Sequence, residues 1–546
     1  MVKKILLSSL LLLSATASLA TRPIRTIQLR QADGSIVTTP YRHASEDSPI
    51  EPFSFQYLKG MGTRAMTATS PDGLGVFGVR SNGVLNSIGE HNIPVMMIEF
   101  QDVEFAPENT PIRVDSLFNH PGFAQTSTAR GSVRDYFLDQ SYNMFHPKFT
   151  VVGKFKAKNT RAYYGANSGN NKNLRALELY SEMTAAAVTS GVDFSPYLED
   201  GAVPLVVLFY AGAGEHNAFE TGSENYIWAH FRETSTQAGS VKFKSYFMGN
   251  ELYNIYKSKD GSTILDDKGN PIVESSRLDG IGVLCHELSH ALGLPDTYTT
   301  NALQNVVYKT PDFFDIMDYG QWGSSGYRPV GYSAYQRNML GWLALEELKE
   351  EAGERTLEKL NEIAASEVPK AYIIRNPNKE SEYFIFENRQ DSKWFDVRFG
   401  KGMLVFHVDY DEDAWKYNRP NNEAENLRYV VVPADGQWQN NRNAGGYAPY
   451  KSDFFPGTNG VTEFSADAAP VVLWKSGDFQ TPIYNIAETA DGLITFSYLQ
   501  KTPNAISSVS SERKNNAIYT LDGRRAQQED LKAGVYIQGG KKIVVK

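Results

Sequence analysis

Two histidines and a glutamate within one short run are the residues of this chain best suited to chemistry. His286 and His290 are four residues apart, and Glu287 follows the first of them directly. On a helix this spacing places both imidazoles on one face, about one turn apart. The pattern H-E-x-x-H is typical of zinc hydrolases, in which two imidazoles bind the ion. The alternative is a polar helix whose histidines only form hydrogen bonds.

A third ligand follows at a spacing that a tight turn can close. Gly293 comes three residues after His290, and Asp296 comes three residues after Gly293. A glycine at the end of a helix can adopt a positive φ and turn the chain back. We therefore predict that the chain reverses at Gly293 and that Asp296 becomes the third ligand.

Three protein ligands predict a catalytic metal site, because a structural zinc site is closed by four. Zinc lowers the pKa of a bound water to about 7 and polarises a carbonyl group. Glu287 is not needed as a ligand, so it can take the proton of the attacking water and pass it to the leaving amine. The sequence thus predicts hydrolysis with His286, His290 and Asp296 as zinc ligands and Glu287 as the base.

Four residues outside this run are weaker candidates. Met317 either packs under the ligands or is an ordinary core methionine. Tyr319 either donates a hydrogen bond to the oxyanion or is a packed aromatic residue. His216 and His230 lack ligand spacing, and we predict that both are hydrogen-bonded polar histidines.

Composition and the N-terminus indicate an exported globular protein. The chain has 546 residues, of which 41% are hydrophobic, and a net charge of −9, which argues against a nucleic-acid partner. Lys3 and Lys4 precede an apolar run that is too short to span a bilayer comfortably, and Ala20 ends the favoured cleavage site, so residues 1–20 read as a signal peptide. A membrane-anchored start is the alternative. The single cysteine, Cys285, excludes an internal disulfide and reads as a small buried residue of the helix.

The pattern along the chain predicts an α/β or α+β catalytic domain, then an all-β sandwich-like region and a short β tail. Residues 21–90 show no sustained period and read as a pro-segment, or as an N-terminal arm that stays attached. Alternating strand and helix patterns follow, with a buried strand at Val203–Tyr210 and a helix capped by Ser132. We place the catalytic domain at 91–347, the sandwich-like region at 348–502, and a linker with the tail at 503–546.

The sandwich-like region contains short β-branched and aromatic runs, among them Ala371–Arg375, Glu382–Glu387 and Val471–Trp474. Its acidic run offers oxygen ligands for calcium but lacks a regular ligand loop, and a solvated charged loop is the simpler interpretation. That run consists of Asp409, Asp411, Glu412 and Asp413.

The run from His286 to Asp296 resembles the immune inhibitor A family of secreted metalloendopeptidases, which are metzincin-like and use an aspartate as the third zinc ligand. Asp315-Ile316-Met317 is similar to the Met-turn of that family, although its continuation through Tyr319 is closer to astacin-type enzymes. Further segments resemble the framework of the family: Gly131–Phe137, Ile227–His230, Leu340–Trp342, Gly402–Asp409 and Asp453–Gly457. The resemblance covers about residues 90 to 500. It implies zinc-dependent cleavage of internal peptide bonds and raises Tyr319 as a transition-state donor, whereas the N-terminal segment matches the pro-region of the family poorly.

The tail from Gly534 to Lys546 is similar to the C-terminal sorting domains of type IX secretion in Gram-negative bacteria. This resemblance implies export to the outer surface with the type IX secretion machinery as a partner. The alternative is a small β tail that only packs on the sandwich-like region.

Two other functions fit the same motif. One is a catalytically inactive adhesin on the same scaffold, which the intact Glu287 disfavours. The other is a zinc exopeptidase or amidase, which would need a site for a free terminus or another substrate group, and the sequence shows no obvious one.

Overall fold

The fold is taken from a computed structural model of the chain. The described residues are 15–16, 18–41, 61–62, 70–81, 83–168, 171–300, 310–349, 351–361, 368–423, 426–438, 447–468, 470, 472–501, 518–520, 525–527, 531–538 and 541–545. The chain divides into two compact units, Met1–Gln500 and Lys501–Lys546. Each unit is described by itself below.

A mixed sheet forms the framework of the first part of the larger unit. Its strand Val206–Ala213 is buried at every position, as the apolar run at Val203–Tyr210 predicts. This strand lies parallel to Gly89–Glu99 on one side and to Val241–Lys259 on the other. The strand His230–Ala238 pairs antiparallel with Val241–Lys259 and is called the rim strand here. The remaining strands of this sheet are Ser18–Ala20, Thr26–Arg30, Ile36–Pro40, Phe145–Lys156, Ser262–Thr263 and Val273–Leu278.

Helices lie against this sheet, and the capped helix predicted from Ser132 is confirmed. The Ser132 hydroxyl accepts from the Asp135 N–H at 3.1 Å, and the Asp135 carboxylate accepts from the Ser132 N–H at 2.9 Å. These reciprocal bonds satisfy backbone donors at the helix start. The α-helices of the described residues are Pro111–Asn119, Val133–Gln140, Arg161–Gly165, Ala176–Thr189, Gly282–Leu292, Ala334–Met339, Glu412–Lys416 and Ala448–Lys451.

The region after residue 345 consists of two packed sheets, in agreement with the sandwich-like prediction. The five-stranded sheet contains Glu346–Glu347, Ala371–Asn376, Lys379–Arg389, Gly402–Asp409 and Tyr429–Val431. The three-stranded sheet contains Gly353–Leu357, Ile483–Glu488 and Ile494–Tyr498. Phe384 and Phe496 share the apolar core between the two sheets. The strand predicted at Val471–Trp474 is wrong for the described residues Val472–Trp474, which are irregular.

The five-stranded sheet is buried on both faces. Along one of its strands, Phe384 and Phe386 face the three-stranded sheet, whereas Tyr383 and Ile385 belong to the same core as Leu288. Neighbouring residues of a strand point to opposite faces, so this sheet joins the two cores. The sandwich-like region is thereby continuous in packing with the helix that carries the histidines.

The N-terminal segment is part of the main sheet. Thr26–Arg30 pairs parallel with Val241–Lys259, and it forms an antiparallel hairpin with Ile36–Pro40. Gly34 closes the hairpin with a φ of 84°, at the Asp33-Gly34 turn that the sequence indicates.

The smaller unit is a four-stranded antiparallel sheet of Arg525–Ala526, Ile518–Thr520, Gly534–Gln538 and Lys541–Val545, in that order. Gln538 pairs with Lys541 in an antiparallel hairpin, and residues 539 and 540 lie outside the described residues. In the described part of the chain, no helix has the length and apolar character needed to span a membrane.

Candidate metal centre

The two histidines project from the helix Gly282–Leu292, which is called the motif helix here. All its residues are buried. Its first residue is Gly282, and a Cβ at this position would lie only 1.9 Å from the carbonyl oxygen of Gln321, so glycine is required there. The rings of His286 and His290 have centroids 4.7 Å apart and planes at 87°. The helical spacing therefore brings both imidazoles to one point, as the sequence predicts.

The motif helix ends at Gly293, whose φ of 117° lies in the left-handed region. This turn brings the Leu294 carbonyl to 2.8 Å from Nδ1 of His290. The Ile316 carbonyl lies 2.8 Å from Nδ1 of His286 in the same way. A carbonyl on Nδ1 places the proton there and leaves Nε2 with a lone pair for a metal ion.

Asp296 completes the group. Its Oδ1 lies 3.2 Å from Nε2 of His286 and 3.3 Å from Nε2 of His290, and its side chain is 1% exposed. One ligand atom from each of the three residues lies within 4.8 Å of the other two. This is the one metal-ligating group of three or more such side chains among the described residues.

The electrostatics of Asp296 and Glu287 differ although both are fully buried. Burial raises the pKa of Asp296, but the adjacent His290 and His286 outweigh it and lower the pKa below its usual range. Burial and the neighbouring Asp296 charge together raise the pKa of Glu287 well above its usual range, against a smaller opposing effect of the Phe231 and Thr21 N–H groups. The lowered pKa favours the anionic form of Asp296, whereas the raised pKa makes Glu287 hold a proton more readily than an ordinary glutamate.

Asn418 fixes the position of Asp296 from the sandwich-like region. Its Nδ2 donates to Oδ2 of Asp296 at 2.6 Å, and its Oδ1 accepts from the Asp296 N–H at 2.6 Å. Both bonds leave Oδ1 of Asp296 directed at the histidines. Sequence reasoning missed Asn418, which lies 122 residues from Asp296. A positive φ of 56° is its unusual feature, and no local sequence signal pairs it with Asp296.

The loop that contacts His286 through the Ile316 carbonyl contains Met317, which is fully buried in the core shared with the motif helix. The Met317 carbonyl accepts from the Thr297 N–H at 2.9 Å, so the loop is hydrogen-bonded to the segment that directly follows Asp296. Asp315 holds the loop by accepting from the Met317 N–H at 2.6 Å and from Gln336 at 2.6 Å. Burial raises the pKa of Asp315 to about 7 against these bonds.

Tyr319 lies on the same loop, is buried, and packs edge-on against Phe313 at 4.7 Å between ring centroids. Its hydroxyl accepts a hydrogen bond from the Arg25 N–H of the N-terminal segment. In this conformation the hydroxyl is therefore engaged by the chain's own N-terminal segment.

The other candidates lie outside the group of three. His230 has ring nitrogens 2.9 Å from the Trp228 carbonyl and 3.0 Å from the Tyr246 hydroxyl, and burial lowers its pKa to about 4. Nδ1 of His216 accepts from the Ala229 N–H at 3.2 Å.

Cys285 is a buried free thiol whose pKa is raised by burial. It packs in the main core on the motif helix and is not part of the metal-ligating group. This agrees with the prediction of a small buried residue.

The acidic run offered for calcium has other partners. Asp409 is paired with Lys379 and lies 3.0 Å from Lys475 and 3.5 Å from Arg428. The Asp411 carboxylate caps the helix Glu412–Lys416 by accepting from the Ala414 N–H at 2.8 Å. These contacts give a calcium site no support.

Part of the chain that contains these residues is similar in sequence to known proteins. Residues 112–343 match the family described as immune inhibitor A peptidase M6, catalytic domain. Two curated proteins, both named pre-pro-metalloprotease PrtV, from two strains of Vibrio cholerae serotype O1, are 24% identical to the chain over 246 residues. The alignment covers 41% of this chain and 25% of each relative, so the chain spans about a quarter of their length. The matched segment includes His286, Glu287, His290 and Asp296, and it is similar to a metallopeptidase catalytic domain.

Proposed function

We propose that this chain is a zinc-dependent endopeptidase that cleaves internal peptide bonds of proteins outside the cytoplasm. The observation that carries the proposal is the convergence of Nε2 of His286, Nε2 of His290 and Oδ1 of Asp296, with Glu287 buried beside them. The match of residues 112–343 to a metallopeptidase catalytic domain supports the same chemistry.

The residues fit a zinc ion. Nε2 of His286 and Oδ1 of Asp296 face each other 3.2 Å apart, both buried and without a hydrogen bond of proper geometry. Buried polar atoms without such bonds are costly, and a cation between them removes the cost. Two imidazoles and one carboxylate are a common ligand set of catalytic zinc sites. When bound, zinc supplies an activated water and a polarised substrate carbonyl.

The chain's own residues then supply proton transfer and orientation. Glu287 receives a proton from the attacking water and delivers it to the leaving amine, and its raised pKa favours holding that proton between the two steps. Tyr319 donates its hydroxyl hydrogen to the carbonyl oxygen of the cut bond as negative charge develops there. Asn418 and the carbonyls of Ile316 and Leu294 hold the ligands in place.

Export is the second part of the proposal. Residues 1–20 act as a signal peptide that is removed after Ala20, and the tail of 503–546 directs the protein to the type IX secretion machinery. We retain residues 91–347 as the catalytic domain and 348–502 as a supporting β region. The name pre-pro-metalloprotease, which both relatives carry, supports the removal of an N-terminal segment.

The proposal is tested by incubating the purified full chain with casein, with and without a chelator, beside Glu287→Gln. We expect cleavage by the wild-type protein that stops with chelator, returns with zinc, and is absent in Glu287→Gln. Cys285→Ala is the matched control, because it changes a buried neighbour of His286 that is not a ligand.

Each alternative function has its own outcome in this assay. Cleavage that survives both the chelator and Glu287→Gln would rule out the zinc mechanism. Absence of cleavage by every form would favour an adhesin. Products that lack only terminal residues would indicate an exopeptidase.

A further inference from the structure

The N-terminal segment passes beside the metal-ligating group as a bound peptide would. Ser18–Ala20 pairs antiparallel with the rim strand, with Ala20 opposite His230. The Thr21 carbonyl then accepts from the indole of Trp228 at 2.8 Å, and the Thr21 N–H donates to the Ala229 carbonyl at 3.4 Å. These contacts use backbone groups of the segment, which any peptide sequence could offer.

The side chain of Arg22 lies between a buried carboxylate and aromatic rings. Its guanidinium forms an ion pair with the Asp318 carboxylate, and its side chain is 10% exposed while that of Asp318 is fully buried. The guanidinium carbon lies 5.5 Å from the ring centroid of Tyr298 and 5.7 Å from that of Tyr319. A carboxylate with two aromatic rings matches the charge and the planar faces of a guanidinium.

The pocket adjoins the metal-ligating group. Tyr298 comes two residues after Asp296, and Asp318 directly follows Met317. The Thr297 N–H, between Asp296 and Tyr298, donates to the carbonyl of Met317 at 2.9 Å, which joins the two sides of the pocket next to the metal-ligating group. A side chain in this pocket therefore belongs to a residue that lies close to the metal-ligating group.

Asp318 needs a cation in this position. Its Oδ2 accepts from the Asp312 N–H at 2.7 Å, and in the part of the chain that the structure describes its ion-pair partner is Arg22. A buried carboxylate that loses its counter-charge is strongly destabilising. When the N-terminal segment leaves, the pocket therefore favours another guanidinium over a neutral side chain.

We propose that Asp318, Tyr298 and Tyr319 form an arginine-binding subsite, which Arg22 fills in this conformation and which arginine-containing protein substrates occupy in its place. The substrate part rests on the proposed endopeptidase function. Arg22 is then an internal competitor. Cleavage of the signal peptide after Ala20 leaves it as the second residue of the mature chain.

The first test measures the pocket without activity. Thermal unfolding of the full-length Arg22→Ala variant is followed with added Nα-acetyl-arginine methylamide or Nα-acetyl-lysine methylamide. We expect the variant to melt roughly 5 °C below wild type. The arginine compound should recover most of that loss, and the lysine compound should recover clearly less. The wild type and an Arg22→Ala, Asp318→Asn double variant should respond to neither.

Two further variants make this test specific. Arg30→Ala is the matched control, since Arg30 lies on the same N-terminal segment but its guanidinium is 35% exposed and pairs with Glu274 at 3.4 Å. We expect no arginine-specific recovery in that variant. If Arg22→Ala does not fold, Arg22→Gln keeps most of the side-chain stem and the same recovery is expected. Equal responses to both compounds, or recovery that persists without Asp318, would overturn the subsite.

The second test identifies the cleavage sites made by the full chain in a denatured protein mixture. We expect arginine to be enriched at one fixed position close to the cut bond. The Asp318→Asn variant should prefer arginine about tenfold less than wild type and should still cleave arginine-free peptides. The Arg22→Ala variant should have a lower KM for arginine peptides than wild type, because the internal competitor is absent. Chelator-sensitive cleavage without arginine enrichment would overturn the subsite and leave the endopeptidase proposal intact. If no form cleaves, the endopeptidase proposal fails, and the unfolding measurement alone decides whether the pocket binds arginine.

Discussion

The motif helix and the sandwich-like region position the proposed metal ligands in different ways. His286 and His290 face the same point because they share one helix, so a local repeat sets their geometry. Asp296 lies in a loop, and Asn418, 122 residues away, directs its carboxylate through two hydrogen bonds of 2.6 Å. Two ligands are thus placed by local structure and the third by a tertiary contact.

The sandwich-like region also holds the loop that contains Met317. Glu387 and Arg389 form a fully buried ion pair on the five-stranded sheet, and Arg389 donates to the carbonyls of Gly331 at 3.1 Å and Phe314 at 3.3 Å. The Glu387 carboxylate accepts from the Ala334 N–H. The β region is therefore a structural part of the site.

Loss of a helix-borne ligand should have the largest effect. We expect His290→Ala to reduce metal affinity by more than about 100-fold, beyond the range seen for supporting residues, and to abolish activity. Equilibrium competition for zinc with a chromophoric chelator measures the affinity, with Cys285→Ala as the control on the same helix. Unchanged zinc affinity in His290→Ala would contradict the proposed ligand set.

Asn418→Ala should reduce metal affinity about 10- to 100-fold, because it removes both bonds that orient Asp296. The same competition assay measures the change. Asn422→Ala is the matched control, since Asn422 binds Thr300 of the same loop in the same two-bond manner, farther from the ligand. Equal losses in the two variants would show that Asn418 only stabilises the loop.

Gly293→Ala should have a smaller effect on zinc binding, because it changes the turn between His290 on the helix and Asp296 in the loop. The φ of 117° disfavours a side chain, and an added Cβ would meet only ordinary contacts at 3.7 Å, so we expect about 1 kcal/mol of lost stability. Denaturant unfolding measures this loss. Gly261→Ala carries a similar strain at a φ of 79° in the turn between the strands Val241–Lys259 and Ser262–Thr263, outside the motif helix, so only Gly293→Ala should also weaken zinc binding.

Cys285→Ala should have the smallest effect. The substitution removes one buried sulfur atom next to His286 and leaves a small cavity, so we expect about 1 kcal/mol of lost stability. Activity and zinc content should remain at wild-type level. A loss of bound zinc in this variant would mean that the thiol takes part in the site.

The motif helix could be read from the sequence because its signals are local. Residue spacing fixes the face of His286 and His290, and Gly293 marks the turn that the structure confirms. Asn418 could not be found, because nothing near it in the sequence indicates which distant loop it contacts. The irregular Val472–Trp474 shows the same limit, since a short apolar run becomes a strand only if a neighbouring strand offers an edge. The hairpin of Thr26–Arg30 was missed within a segment that lacks a sustained period.

The zinc K-edge X-ray absorption spectrum of the zinc-loaded full chain tests the central claim most directly. Two imidazoles and the Asp296 carboxylate with a water predict two nitrogen and at least two oxygen neighbours at about 2.0–2.1 Å. The same spectrum is expected for Glu287→Gln, because Glu287 is not a ligand in this account. A sulfur neighbour at about 2.3 Å, a third imidazole, or a spectrum that changes in Glu287→Gln would contradict the proposed site.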